Sequence, residues 1–134
     1  MTEVVETPEG WLVRGEELRI TELRFDWAVT LVISGTTGTY EVRLEREVRL
    51  GARHGEVRTI DPEGEPASLA PLLGLLRAEV EEIRVFSDGR LRLAFPGGTV
   101  LEVRPDNDFE AWTLTGTSGL LFVAVPGGGV AVWS

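Results

Sequence analysis

The chain has 134 residues, with 22 acidic side chains against 13 basic ones and a formal net charge of -9, and every basic residue is arginine. Without lysine there is no side-chain Schiff base and no Walker-type phosphate lysine; without cysteine there is no thiolate nucleophile, disulfide framework or cysteine-ligated metal; His54 alone cannot build a two-histidine metal site. The length suits a single domain spanning 1–134 with a core that needs no staples, and the acidic excess disfavours nucleic acid while favouring a basic protein partner.

In chain order, Met1 to Gly10 carries Glu3, Glu6 and Glu9 and no apolar run, so it does not read as a secretory signal. No stretch approaches the roughly 18 apolar residues of a membrane span, and the expectation is a cytoplasmic protein with no membrane contact. Trp11–Val13 and Leu18–Ile20 read as a short hairpin around Gly15. Phe25, Trp27, Val29, Leu31 and Ile33 alternate with smaller or polar residues, which predicts one strand with a strongly apolar face. Gly35-Thr36-Thr37-Gly38 turns the chain into a second run, where Tyr40, Val42, Leu44, Val48 and Leu50 alternate with Glu and Arg. Arg46 interrupts the apolar series and predicts a bulge or strand end; Glu56 to Ile60 is a further strand.

Residues 61–66, rich in Pro, Gly and acid, form a loop. The period then changes: Leu69, Leu72, Leu73, Leu76 and Val80 make one stripe of an amphipathic helix over about 68–80, with Ser68 as N-cap and Pro71 in the first turn. From Ile83 alternation resumes, punctuated by Ser87-Asp88-Gly89, Pro96-Gly97-Gly98, Gly116 to Gly119 and Pro126 to Gly129. Phe95 to Val100 and Val125 to Val130 resemble one another thirty positions apart, either as an internal duplication or because tight hairpins reuse Pro and Gly. The predicted fold is α+β: a mostly antiparallel, curved or barrel-like sheet with one helix packed on it.

Few residues suggest chemistry. Asp106, Asp108 and Glu110 alternate, so in an extended segment three carboxylates would converge on a hard cation such as calcium. Ala111 and Thr117 stand where a calcium loop needs glycine and glutamate, and a turn after Pro105 is the competing reading. A carboxylate pair would suit a glycosidase, but 22 acids in a small domain make close pairs unavoidable by chance. His54 with Ser118 or Ser34 lacks a G-x-S-x-G elbow. The glycine-rich turns join strands and contain no lysine, which argues against phosphate cradling. No catalytic residue and no cofactor other than calcium is expected. Trp27 and Trp112 have core spacing, whereas Trp11 and Trp133 lie near the two ends, where they cap the sheet or meet a partner.

Several segments together resemble a family of small actinobacterial proteins that is known only as a domain of unknown function. They are Phe25 to Leu31, Tyr40 to Arg43, Leu69 to Leu75, Asp88 to Leu91, Asp108 to Trp112, and Pro126 to Gly128 with Ala131 to Trp133, and the resemblance covers about 20–134. It implies no activity and no catalytic residues. Glu110 to Trp112 and the run from Pro126 to Trp133 also look like elements of bacterial toxin-immunity proteins, which are small, acidic, non-catalytic binders. The leading functional expectation is therefore an acidic protein-binding module, followed by a small-ligand or cation-binding domain and lastly a carboxylate-dependent hydrolase.

Overall fold

A computed structural model describes residues 4–52 and 55–133. His54 lies outside the described residues. Within them the chain runs β1 (Val4–Thr7), β2 (Gly10–Val13), β3 (Arg19–Phe25), β4 (Val29–Ser34), β5 (Thr39–Leu44), β6 (Val48–Ala52) and β7 (Val57–Ile60). A 3-10 turn (Pro66–Leu69) and a short helix α1 (Ala70–Leu73) follow. The chain then continues through β8 (Glu82–Phe86), β9 (Leu91–Ala94), β10 (Thr99–Val103), β11 (Trp112–Gly116), β12 (Leu121–Ala124) and β13 (Val130–Trp133). The strands form two antiparallel sheets, seven-stranded in the order β1-β2-β8-β9-β10-β6-β7 and six-stranded in the order β13-β12-β11-β5-β4-β3.

The α+β, mostly antiparallel class holds, but the sheets do not close into a barrel. One apolar cluster joins them: Val13, Ile83, Val85, Leu91, Leu93 and Leu101 from the first meet Leu31, Ile33, Val42, Trp112, Leu114 and Phe122 from the second. Trp11 on β2 meets Phe122 on β12 with ring centroids 5.5 Å apart.

The break at Arg46 marks a change of sheet. β5 ends at Leu44 in the second sheet, and β6 begins at Val48 in the first. The apolar series on either side is therefore one core seen from two layers. For the same reason Trp11–Val13 and Leu18–Ile20 do not pair: β2 lies between β1 and β8, while β3 pairs with β4. Nor do residues 25–34 form one strand. Phe25 pairs with Val29 across a tight turn in which the Asp26 amide donates to the Ala28 carbonyl at 3.0 Å and the Ala28 amide to Asp26 Oδ1 at 2.7 Å. The even spacing of Phe25 and Trp27 thus spans a reversal.

The helix is shorter than its leucine stripe suggests. Ser68 does not cap it; its hydroxyl donates to the Glu65 carbonyl, and α1 ends at Leu73 before Gly74. Arg77 takes a left-handed φ of 73°, which no helix interior accommodates. Residues 77–80 instead lie along the edge of β3: the Arg77 amide donates to Ile20, the Ile20 amide to Ala78 and the Val80 amide to Leu18, at 2.8–2.9 Å. Leu69, Leu72, Leu75 and Val80 reach the core, while Leu73 and Leu76 are exposed. A continuous helix would have given up these backbone bonds to β3.

The thirty-residue resemblance corresponds to a structural repeat. β8-β9-β10 and β11-β12-β13 are both three-stranded meanders, one in each sheet. In the first, Phe86 donates to Arg90, Gly89 to Phe86, Phe95 to Thr99 and Gly98 to Phe95. In the second, Gly116 donates to Leu120, Gly119 to Gly116, Val125 to Gly129 and Gly128 to Val125, each thirty positions on. The two meanders also clasp one another: the Gly129 amide donates to Asp88 O at 3.0 Å, and Trp112 Nε1 donates to Gly89 O at 2.9 Å.

Candidate functional site

Ion pairs cover the outer faces of β3, β4 and β5 in one sheet and of β8, β9 and β10 in the other. Arg24 on β3 reaches across β4 to Glu41 on β5 at 2.8 Å and also meets Glu22 at 2.9 Å. The hydrogen bond and charge of Glu22, with the charge of Glu41, raise the Arg24 pKa. Such long arms roof β4, leaving Thr30 and Val32 buried on the outward side of a strand whose other face is core. On the other sheet, Arg84 pairs with Glu82, Arg92 with Glu102 at 3.4 Å and Arg90 with Asp88 at 2.9 Å, while Arg90 and Arg92 lie over the Phe86 ring. These half-exposed pairs contribute little stability individually.

One end of the sandwich differs. Leu44 at the end of β5 pairs with Trp112 at the start of β11, so two crossings between the sheets, residues 45–47 and 104–111, emerge side by side. Between them opens a cleft of about 470 Å³ lined by Glu45, Arg46, Glu63, Asp108, Phe109, Glu110 and Pro126. Phe109 is 57% exposed, and the Arg46 guanidinium sits 4.1 Å above its ring. Arg43 extends the patch, lying 3.9 Å from Glu45 and 3.3 Å from Asp26 in the β3–β4 turn. At the tip of that turn Trp27 is 78% exposed, with Phe25 beside it. The placement corrects the expectation that Trp27 packs in the core. An aromatic residue inside a three-residue reversal has no neighbouring strand to cover it.

The proposed cation ligands are not gathered. The backbone bends at 107–109 where an extended segment was expected. Asp106 Oδ2 accepts the amides of Asp108 at 2.9 Å and Phe109 at 3.1 Å, closing a turn of its own. Asp106 faces a separate cleft with Arg46, Arg49 and Arg104, whereas Asp108 and Glu110 line the one above. Among the described residues no group of three or more Asp, Glu or His side chains is placed to hold a metal ion. The Asp108 amide, then the Phe109 amide and the Arg46 charge, hold the Asp106 carboxyl below the usual carboxylate range against desolvation; the Ala28 amide, with Arg43, does the same for Asp26.

Of the two terminal tryptophans, Trp11 is half-buried against Phe122, while Trp133 on β13 is 55% exposed. Ser34 and Ser118 have no described histidine to pair with. Sequence alternation concealed Trp27, Phe25 and Phe109; the composition of Phe25-Asp26-Trp27-Ala28, with Asp26 set to close a turn on Ala28, is the signal that would have exposed the first two. Among the described residues no helix is long and apolar enough to cross a membrane.

The arrangement is that of a two-sheet, mostly antiparallel α+β domain whose most distinctive surface is an acidic, aromatic rim. The chain belongs to a family described as "Family of unknown function (DUF6188)", whose profile matches residues 11–134. No curated protein and no solved structure matches it.

Proposed function

We propose that the domain is a non-enzymatic, cytoplasmic protein-binding module, immunity-like in kind, which holds a basic partner at the rim formed by Trp27, Phe25 and the Phe109 cleft. The observation that carries this reading is an exposed aromatic, Phe109, among four cleft carboxylates, Glu45, Glu63, Asp108 and Glu110, with the exposed Trp27 in the turn at the same end of the sandwich. Exposed aromatics supply contact area at low entropic cost, and carboxylates around them select arginine or lysine and steer a cationic surface to the site. Arg43 and Arg46 hold parts of the rim in place by pairing with Asp26 and covering Phe109.

The test is capture of interacting proteins at low salt by the wild-type chain, by Trp27→Ala, by Glu45→Gln/Glu63→Gln/Glu110→Gln, and by Glu16→Gln/Glu79→Gln away from the rim. A basic protein retained by the wild type and the last variant, lost with the first two and released by high salt supports the reading. Equal capture by all four, or none by any, refutes it. A toxin encoded beside this chain and captured in the same way would identify the binding as immunity.

A further inference from the structure

The negative charge of the chain is unevenly placed: residues 111–134 contain no Asp, Glu, Lys or Arg. That stretch forms β11, β12 and β13, half of the six-stranded sheet. Leu114, Phe122 and Ala124 point into the core. The register therefore places Thr113, Val123 and Ala131 in one row of the outer face, and Thr115, Leu121 and Trp133 in the next. On the other half of this face, Glu22, Arg24, Glu41 and Arg43 spread over β3, β4 and β5. One half is a lattice of charges, and the other is bare.

β13 is also an edge. Edge strands expose a row of amides and carbonyls to any strand that can pair with them, and proteins guard them with charges, bulges or covering segments. The other three edges carry such guards. β1 has Glu6 and β7 has Arg58. β3 has Arg19, Glu22 and Arg24, a register shift between Ile20 and Glu22, and residues 77–80 laid against it. β13 reads Val-Ala-Val-Trp and carries no charge, no proline and no bulge. Because the Val125 amide donates to the Gly129 carbonyl, alternation gives Ala131 and Trp133 the bonds toward β12 and leaves the amides and carbonyls of Val130 and Val132 directed outward.

We propose that β13 is a self-association strand: two copies of the chain pair antiparallel through their β13 edges across a two-fold axis, joining two six-stranded sheets into one. Charge selects the occupant. Two bodies of net charge -9 repel wherever their carboxylates approach, and this uncharged edge lets a second copy dock without bringing any together. A basic partner gains nothing there, since the surface offers it no carboxylate. The two-fold pairing is self-complementary, makes about four backbone hydrogen bonds and brings both copies of Trp133 to the seam. A short strand and one tryptophan bury less than a standard interface, so the dimer is weak and concentration-dependent.

Sedimentation velocity across a concentration series reaching about 0.5 mM, at low and high salt, tests this. The expected result is a monomer–dimer equilibrium that tightens with salt, as screening relieves repulsion; capture of a basic partner at the rim changes with salt in the opposite sense. Val132→Pro removes an outward-facing donor without taking one from β12, and Trp133→Glu places a charge on the seam while leaving the backbone intact. Each should weaken the dimer about tenfold or more at unchanged circular dichroism. Hydrogen exchange adds a readout independent of mutation: the Val132 amide should slow as concentration rises, and the Ala131 amide should not. A chain monomeric throughout, a dimer that persists in Trp133→Glu, or a Val132 amide indifferent to concentration overturns the proposal. None of these results touches the rim, whose variants are tested separately.

Discussion

Gly89 and Gly119 occupy the same place in the two repeated meanders, and replacing each with alanine should separate backbone strain from packing. Both have positive φ, +105° and +90°, and each amide closes a turn onto the residue three before it. Around Gly119 an added Cβ meets nothing within 4 Å. The cost of Gly119→Ala is then the conformational penalty alone, about 1–2 kcal/mol. At Gly89 the same Cβ would lie 2.9 Å from Pro105 Cβ and 3.1 Å from both the backbone nitrogen and oxygen of Gly129. Those atoms belong to the clasp between the sheets and are not the ends of flexible side chains. Overpacking of this kind adds about 1–3 kcal/mol. Any shift that relieves it also lengthens the bonds from Gly129 to Asp88 and from Trp112 to Gly89. The expected totals are about 1–2 kcal/mol for Gly119→Ala and about 3–5 kcal/mol for Gly89→Ala. At about 3–5 °C per kcal/mol for a domain of this size, the melting temperatures should fall by about 5 °C and about 15 °C. Urea unfolding with an unchanged m-value, together with calorimetry, measures both. Equal losses would refute the argument that the Asp88 and Gly129 turns pack tightly against each other.

Trp27→Ala and Phe109→Ala should leave the melting temperature within about 2 °C, since neither side chain is part of the core; a larger fall by thermal melt would show the rim to be structural. Asp26 and Asp106 have folded pKa values below their ordinary ones, so each contributes stability that is present above the unfolded pKa and lost as pH falls through the folded value. Melting curves from pH 5 down to pH 2 should therefore fall less steeply in Asp26→Asn/Asp106→Asn than in the wild type, and parallel curves would contradict the assignment. Calcium at millimolar concentration should leave the melting temperature unchanged, because Asp106 closes its own turn and faces a different cleft from Asp108 and Glu110.

Period-two alternation is a reliable guide to which face each residue of a strand presents. The hairpin turns at Gly35–Gly38, Ser87–Gly89, Pro96–Gly98 and Pro126–Gly129 are all present, as is the break at Arg46. Alternation carries no information about layer, however. β2 and β3 are neighbours in sequence yet belong to different sheets, and Leu44 and Val48 continue one apolar series on opposite walls of the core. The leucine stripe misled for a related reason: Leu69, Leu72 and Val80 are buried whether the chain is helical or bends back along β3, so their spacing does not distinguish the two. The Asp106, Asp108 and Glu110 cluster depended on an extended backbone that Asp106 itself prevents. Trp27 was hidden because a three-residue turn preserves the parity of the strand it interrupts.

The placement of charge follows from the same geometry. A carboxylate on a strand face has same-face neighbours at fixed distance, and here arginine fills many of those places, across strands at Glu41 and Glu102 and two residues along the same strand at Glu22 and Glu82. Residues in a crossing owe nothing to a ladder and have no such neighbour imposed on them. Glu45, Glu63, Asp108 and Glu110 lie in crossings and loops at one end, where the one basic residue lining the cleft among the described residues, Arg46, is held over Phe109. These four carboxylates leave an acidic excess in the cleft at the end of the sandwich that also carries Trp27, whereas the meander that ends in β13 bears no charged side chain. A chain built this way can present one surface whose attachments weaken with salt and another whose attachments strengthen with it. Amide substitutions at the four cleft carboxylates should weaken the first and, by lowering the net negative charge, tighten the second, with the core undisturbed.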